Sequence, residues 1–286
     1  MIQPVIKWSG SKRSQSEQIV SLFPSIIKTY YEPFCGGCSV LAALLKSNVK
    51  CNNYVCSDAN KELIDLWNMI KENPKDVWNH YNTLWNELNK DNDSQRKKEF
   101  FNKVRDRLNK EHNPLDFMFI MRTTTNGMPR YNASGEFNNS FHVTRNGIEP
   151  QRLCGIINEW SDLLNRNNVQ FFAIDYREVK PEKEDFVYLD PPYANVRGMY
   201  YGGINLNELW NYLRSLQCQY AVSFDGISGK NDNTYNVPKD IYTIHIYLRS
   251  GNSSFKRIIG KDRNAIVFES LYLNTKTKEN QQLKMF

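Results

Sequence analysis

The sequence predicts an α/β fold on a mostly parallel sheet, with a polar helical and hairpin region inserted into it. Three observations lead there. Short apolar runs typical of buried strands recur at residues 30–34, 53–56, 169–174, 186–189 and 220–224. Segments with helical period separate several of them. Between residues 61 and 167 the strand pattern stops and charged helical pattern replaces it, so the sheet must be built from both flanks of an insertion.

Residues 30–34 run as a strand into Cys35-Gly36-Gly37-Cys38-Ser39, after which 40–45 has the small and apolar pattern of a helix start. Glycines at such a turn let the backbone approach a ligand closely, and the free N–H groups of the helix start carry positive potential. The strand at 53–56 ends on Ser57-Asp58, about twenty residues past the glycines, where a nucleotide fold keeps an acid for ribose hydroxyls. Lys12 follows Gly10-Ser11, but the full dinucleotide and P-loop fingerprints are missing.

From Lys61 to about Lys110 the apolar positions form stripes: Leu63, Leu66, Trp67 and Ile70, then Trp78, Tyr81, Leu84, Trp85 and Leu88, then Phe100, Phe101, Val104 and Leu108. Lys103, Arg105, Arg107 and Lys110 then read as a solvated outer face. Between Met121 and Arg145 the pattern becomes that of an exposed hairpin, with Asn126-Gly127 and Ser134-Gly135 as turn signals. Arg122, Asn126, Arg130, Tyr131, Asn132, Asn138 and Arg145 supply donors and flat faces suited to nucleic acid, although such loops also rim small-molecule enzymes.

Residues 149–166 read as another amphipathic helix, and 169–174 as a strand ending at Asp175-Tyr176. After the strands at 186–189 and 220–224, with helix 207–216 between them, 242–248 and 265–273 are expected to pair as an antiparallel hairpin. The polar segment from Arg249 through Asn252 to Lys256-Arg257 suits phosphate contacts or an ordinary hairpin tip, and the tail after Asn274 is expected to fray.

The chain of 286 residues, 40% hydrophobic, can bury a substantial core, and its net charge of +6 favours an acidic partner. With neither a signal pattern nor a long apolar run, the expectation is a soluble cytoplasmic protein. Six irregularly spaced cysteines fit reduced thiols. Cys35-x-x-Cys38 with Cys51 and Cys56 matches zinc spacing poorly, so no metal is expected and the glycine loop explains that stretch better.

The chemistry concentrates at Asp190-Pro191-Pro192-Tyr193, which closes the apolar run 186–189. Two prolines cannot donate backbone hydrogen bonds, so the strand ends there with a carboxylate and a proline carbonyl side by side. An exocyclic NH2 of a nucleobase offers two donors to such a pair, and Tyr193 offers a face for stacking. A strand followed by a Pro-rich turn with a surface Tyr is the plainer reading of the same four residues.

Lys7-Trp8-Ser9-Gly10-Ser11-Lys12, Glu32-Pro33-Phe34-Cys35-Gly36-Gly37-Cys38-Ser39-Val40, Ser57-Asp58-Ala59-Asn60 and Asp190-Pro191-Pro192-Tyr193 occur in the order of one family. The chain resembles the Dam-like DNA adenine-N6 methyltransferases of the D12 class, alpha group, over nearly its whole length, including Arg130-Tyr131-Asn132 and Gly135-Glu136-Phe137-Asn138. The resemblance implies a Rossmann-like class I methyltransferase that uses S-adenosylmethionine. Its catalytic domain would comprise residues 1–60 and 168–286, and a target-recognition domain residues 61–167. It implies cofactor contacts at Trp8, Lys12, Phe34, Gly36, Gly37, Asp58 and Asp190, with Asp175 and Tyr176 at the cofactor's adenine. Asp190 to Tyr193 would serve the target base, and Lys12 would act by charge and positioning. Double-stranded DNA is the implied partner, bound by a monomer, with a cognate restriction enzyme open. Arg130 matches a base-reading arginine suited to guanine. Phe137-Asn138-Asn139-Ser140-Phe141-His142 departs from the family's Phe-Asn-x-Pro-Phe-Gly, so a GATC target is not carried over. Methylation of cytosine N4 or of RNA adenine, and a catalytically inactive DNA-binding protein, are the alternatives.

Overall fold

The computed structural model describes residues 2–142, 144–192, 204–252 and 266–275. Strands β1 (Ile26–Glu32), β2 (Lys50–Ser57), β3 (Gln170–Phe172), β4 (Phe186–Leu189), β5 (Gln219–Ser228), β6 (Asn231–Asp232), β7 (Ile244–Asn252) and β8 (Ile266–Leu273) form one sheet in the order β3-β2-β1-β4-β5-β8-β7. Strand β6 pairs with β5 off that path. The first five are parallel, and β8 runs antiparallel to both β5 and β7. The order reverses between β1 and β4, which makes the sheet doubly wound and Rossmann-like.

Strand β4 lies between β1 and β5 and is buried at every residue, as its unbroken apolar run requires of a central parallel strand. Strand β1 starts earlier than expected because Ile26 pairs with Lys50, and stops at Glu32 because Pro33 has no N–H for the ladder. Strand β2 gains polar residues at its start for the same reason of pairing, whereas β3 shrinks to three residues at the sheet edge.

Helices α1 (Ser16–Val20) and α2 (Ser39–Leu44) precede the insertion, which contributes α3 (Lys61–Glu72), α4 (Pro74–Leu88), α5 (Ser94–Glu111), α6 (Pro114–Thr123) and α7 (Pro150–Arg166). Helix α8 (Leu206–Ser215) packs a second apolar cluster against the other face of β4 and β5. Pro at the first turn starts α4, α6 and α7, and the side chains of Asn60, Asp93, Asn113 and Glu149 cap α3, α5, α6 and α7. The inserted helices share one core with the sheet. Trp67 of α3 packs on Trp160 of α7 with centroids 4.8 Å apart, and stacks on Phe171 of β3 at 5.8 Å.

Helix α6 has no counterpart in the sequence reading. Phe117 to Met121 are all fully buried, so the helix is apolar on every side and carries no amphipathic stripe. It also corrects the outward face of α5. Arg107 does not point freely into solvent: its Nε and Nη2 both bind the carboxylate of Asp116, each at 2.6 Å, and His80 Nε2 lies 2.7 Å from the same fully buried group. Against burial, Arg107 and His80 hold Asp116 below the usual carboxylate range. The group is therefore stabilising above its unfolded pKa, and the gain fades as pH falls through the folded value. Arg107→Ala should lower unfolding stability by about 3 kcal/mol at neutral pH, with the deficit shrinking in acid, as read by urea denaturation across pH.

Candidate active site

The loops leaving β1 and β4 part company at the sheet's switch point, and a crevice opens there beyond the strand ends. After β1 the chain turns through Gly36 at φ +46° and Cys38 at φ +53° before entering α2. Both values are left-handed, and at Gly36 space as well as torsion requires glycine: a Cβ would stand 2.5 Å from Trp8 Nε1. Trp67 Nε1–H donates to the Gly36 carbonyl at 2.9 Å, so an insertion helix fixes the loop from below. At the end of β2, the Asp58 carboxylate accepts the N–H of Gly36 at 3.2 Å and of Asn60 at 3.0 Å. Burial pushes Asp58 up to about 6, opposed by those N–H groups.

Asp190 ends β4 on the opposite wall, and Lys12 crosses to it from the N-terminal loop. The Lys12 ammonium, with only 3% of its side chain exposed, lies 2.7 Å from Asp190 Oδ1 and 3.2 Å from Glu269 Oε2, and donates to the Gly10 carbonyl at 3.2 Å. Burial raises Asp190 to about 6 although Lys12 pulls it down. Glu32, buried under the floor, is pushed by desolvation to about 8 and accepts the Tyr30 hydroxyl at 2.7 Å. It is therefore an uncharged neighbour of Asp190 at neutral pH. Together these groups wall a cleft that opens to solvent.

The insertion supplies the third wall through Pro129 and Tyr131. Asn60 Nδ2–H donates to the Tyr131 hydroxyl at 2.6 Å, and the Ser9 N–H donates to the Gly127 carbonyl at 3.2 Å, which ties this wall to the β2 turn and the N-terminal loop. Gly127, at φ +63°, allows that approach: a Cβ there would sit 2.5 Å from Lys7 Cβ. Tyr131 and Phe137 face each other across a small hairpin, their rings edge-on at 5.7 Å.

Trp8, Lys12, Phe34, Gly36, Gly37, Asp58, Asp190, Pro191 and Pro192 all line this cleft, with Tyr131 beside them. Asp175 and Tyr176 stand outside the lining. The Asp175 carboxylate caps a 3-10 turn and pairs with Arg177 at 2.7 Å, while the Tyr176 ring packs on Phe34 at 5.2 Å. The hairpin is less exposed than its composition implies, because Phe137, Asn139 and Phe141 are buried. Arg122 must be withdrawn as a nucleic-acid contact. Its guanidinium donates to the carbonyls of Pro4 and Val5, and burial lowers it to about 10. Asn132 is committed to the turn, accepting the N–H groups of Ser134 and Glu136. Arg130, Asn138 and Arg249 are exposed, Asn126 holds a left-handed kink at φ +59°, and Arg145 is half-buried with an Nη1 that has no partner among the described residues. Tyr193 and the segment at Lys256-Arg257 lie outside the described residues, as does the side chain of Asn252.

The sequence model of the D12 class N6 adenine-specific DNA methyltransferases matches residues 8–266. The chain belongs to that family. It is 33% identical over 208 residues to the type II methyltransferase M.MjaIII of Methanocaldococcus jannaschii, covering 67% of this chain and 69% of that protein. It is 28% identical over 222 residues to the type II methyltransferase M.FokI of Planomicrobium okeanokoites, covering 76% of this chain and 33% of the relative. With the DNA adenine methylase of Haemophilus influenzae, identity is 26% over 199 residues, 67% of this chain and 64% of the relative. Methyltransferases require a methyl donor, and DNA methyltransferases act on DNA. Among the described residues no helix is long and apolar enough to cross a membrane.

Several residues of this D12 chain that line the cleft or support it from behind were given no role in the sequence reading. Glu32 and Asn60 sit inside quoted motifs, and Asn60 carries a recognisable helix-cap signal before Leu63. Trp67 looked like one more stripe residue, and nothing in the local sequence around Glu269 marks it. Gly36→Ala should displace Trp8 and strain the turn, costing about 1–2 kcal/mol. Affinity for the methyl donor, followed by calorimetric titration, should fall by at least about tenfold. An unaltered affinity would remove Gly36 from the cofactor loop.

Proposed function

We propose that the chain transfers the methyl group of S-adenosylmethionine to N6 of an adenine flipped out of duplex DNA. The observation that carries the reading is the Asp190-Pro191-Pro192 strand end, pinned by Lys12 in the same cleft as the glycine turn and Asp58. Residues 1–60 and 168–286 are assigned to catalysis and 61–167 to target recognition, with the enzyme working as a monomer where the DNA is kept, in the cytoplasm. The type II names of its relatives favour a modification role beside a restriction enzyme.

The residues present fit the cofactor. Gly36 lets the Trp8 ring seat directly on the turn so that both line the cleft, and Asp58, at the β2 end, suits ribose hydroxyls. Phe34 lines the cleft next to them and is assigned to the adenine, with Tyr176 packed on its ring from outside and Asp175 preceding Tyr176 in the chain. When bound, S-adenosylmethionine would supply an electrophilic methyl group, its carbon–sulfur bond breaking as the N6–carbon bond forms and S-adenosylhomocysteine leaving with the electron pair.

The chain's own residues act on the amine. Asp190 Oδ1 is held by Lys12, which leaves Oδ2 and the Pro191 carbonyl to accept the two N6 protons. Those acceptors aim the nitrogen lone pair and draw density onto it, so orientation and electrostatics account for the rate. Once the new N–C bond forms, nitrogen must lose one proton, and a carboxylate held near 6 can receive it at neutral pH. Tyr193 is assigned to stacking on the flipped base. Base flipping costs a few kcal/mol, which contacts elsewhere must offset.

Arg130, exposed beside Asn138, is assigned to a guanine edge, with Asn126 and Tyr131 nearer the cleft. Arg145 and Lys7 are assigned to phosphate. Arg145 is only half-buried, and Lys7 is lowered by burial and by the charges of Arg145 and Arg122, so the three cations stand close together. Arg249 and Asn252, on the far strand β7, are assigned to flanking phosphates.

Incubation with S-adenosylmethionine and unmethylated genomic DNA, followed by nucleoside mass spectrometry, should give N6-methyladenine from the wild type and none from Asp190→Ala. N4-methylcytosine instead would move the substrate, and full activity in Asp190→Ala would sink the assignment. The wild-type rate should fall as pH drops through about 6, because protonated Asp190 no longer accepts the amine and Asp58 titrates in the same range. Arg145→Ala should weaken binding evenly across DNA sequences and reduce the salt slope of binding by about one; an unchanged slope would take Arg145 off the phosphate backbone.

A further inference from the structure

The carboxylate on the far side of Lys12 has no place in that reaction as described. Glu269 lies on β8, and the sheet register sets it directly opposite Asp225 of β5 and Leu248 of β7. Like charges facing each other across an antiparallel pair destabilise it. Here the arrangement is kept, and the ammonium of Lys12 reaches it at 3.2 Å. The other Glu269 oxygen accepts the Ser250 hydroxyl at 2.9 Å, so its direction is fixed. Two further bonds fasten the same N-terminal loop to β7: Gln15 Nε2–H donates to the Leu248 carbonyl at 3.1 Å, and the Ser14 hydroxyl to the Ser250 carbonyl at 3.4 Å.

Lys12 thus stands between two strand systems. Asp190 draws it toward the parallel half of the sheet, and Glu269 draws it toward the antiparallel half. Without Glu269, Asp190 would be the ammonium's one carboxylate partner among those named here, beside the Gly10 carbonyl, and the flexible stem would let it settle between both carboxylate oxygens and engage the acceptor the amine needs. We propose that Glu269 is a positioning residue for methyl transfer: by sharing Lys12 it confines the ammonium to Oδ1 of Asp190 and keeps Oδ2 open for the target amine. This rests on the reading of Asp190 as the amine acceptor.

The titratable groups around Asp190 come from every neighbouring element: Glu32 from β1, Tyr188 from β4, Asp225 from β5, Glu269 from β8 and Lys12 from the loop. After burial, which raises Asp190, and Lys12, which lowers it, Glu269 and Asp225 act as raising charges. Removing the Glu269 charge therefore lowers the Asp190 pKa and moves the acid limb of the rate to lower pH. That shift reports the charge of Glu269, and its positioning role is read separately, from the plateau rate at unchanged cofactor affinity.

The test compares wild type, Glu269→Gln and Glu269→Asp in single-turnover methylation of duplex DNA across pH, with S-adenosylmethionine binding measured by calorimetry. Glu269→Gln is expected to slow methyl transfer at the pH plateau by on the order of tenfold, to shift the acid limb downward, and to leave cofactor and DNA affinities within about twofold. Glu269→Asp keeps the charge, so its limb should stay with the wild type while its rate is partly restored. If Glu269→Gln does not fold, Glu269→Asp decides alone: a shorter acid that slows transfer at unchanged cofactor affinity supports the assignment. Unchanged rate and limb in the folded variants overturn it, as does a loss of cofactor affinity that matches the loss of rate. A wild-type enzyme that binds cofactor and DNA but methylates no base overturns the amine-acceptor reading, and this one with it.

Discussion

A buried ammonium between two carboxylates organises this molecule. Desolvating Lys12 costs several kcal/mol, and the cost is met only if its partners are held at hydrogen-bond distance. Asp190 and Glu269 meet that condition from two different strands, and the Gly10 carbonyl takes a further proton. The ion group therefore ties the N-terminal loop, the end of β4 and the middle of β8 into one arrangement. Moving any of the three would strand a charge in a low-dielectric interior, so the cleft is stiff where stiffness matters to chemistry.

The same constraint explains why the cleft can hold acids of different character within a small space. Glu32 has no cation beside it among the described residues and is pushed up to about 8, so it is neutral when Asp190, raised only to about 6, is charged. Asp58, also near 6, owes its ionised form to backbone N–H groups rather than to a cation. Burial acts in the same direction on all three, and the compensation differs. The proposed acceptor for an amine, the proposed acceptor for hydroxyls and a neutral floor are one kind of group, the carboxyl, in three environments.

Much of the sheet was legible because its signals are local. The run at 186–189 could end only at Pro191, and the glycine turn and Asp58 follow their strands at spacings that a nucleotide fold requires. What escaped depends on partners remote in sequence. Arg122 looks like any hairpin arginine, yet its partners are the carbonyls of Pro4 and Val5 at the other end of the chain. Arg107 sits on the polar side of its helix by periodicity, and only the buried Asp116 of the next helix shows why it is not free. Helix α6 lacks a stripe because it is surrounded, and full burial erases the periodic signal that reveals surface helices.

Glu269 is the extreme case of this limit. In sequence it is an isolated acid in a strand that is otherwise mostly apolar, a pattern that suggests a residue turned to water. In the sheet it lies opposite Asp225, and the two negative charges can stay together only because a cation is within reach. Folding thus keeps a local repulsion that packing alone would remove, and relieves it with the residue that also contacts Asp190. A conflict retained in this way beside a cleft is what a site under functional constraint leaves in a structure. The antiparallel part of the sheet is thereby tied to the end of the parallel centre through a shared ammonium.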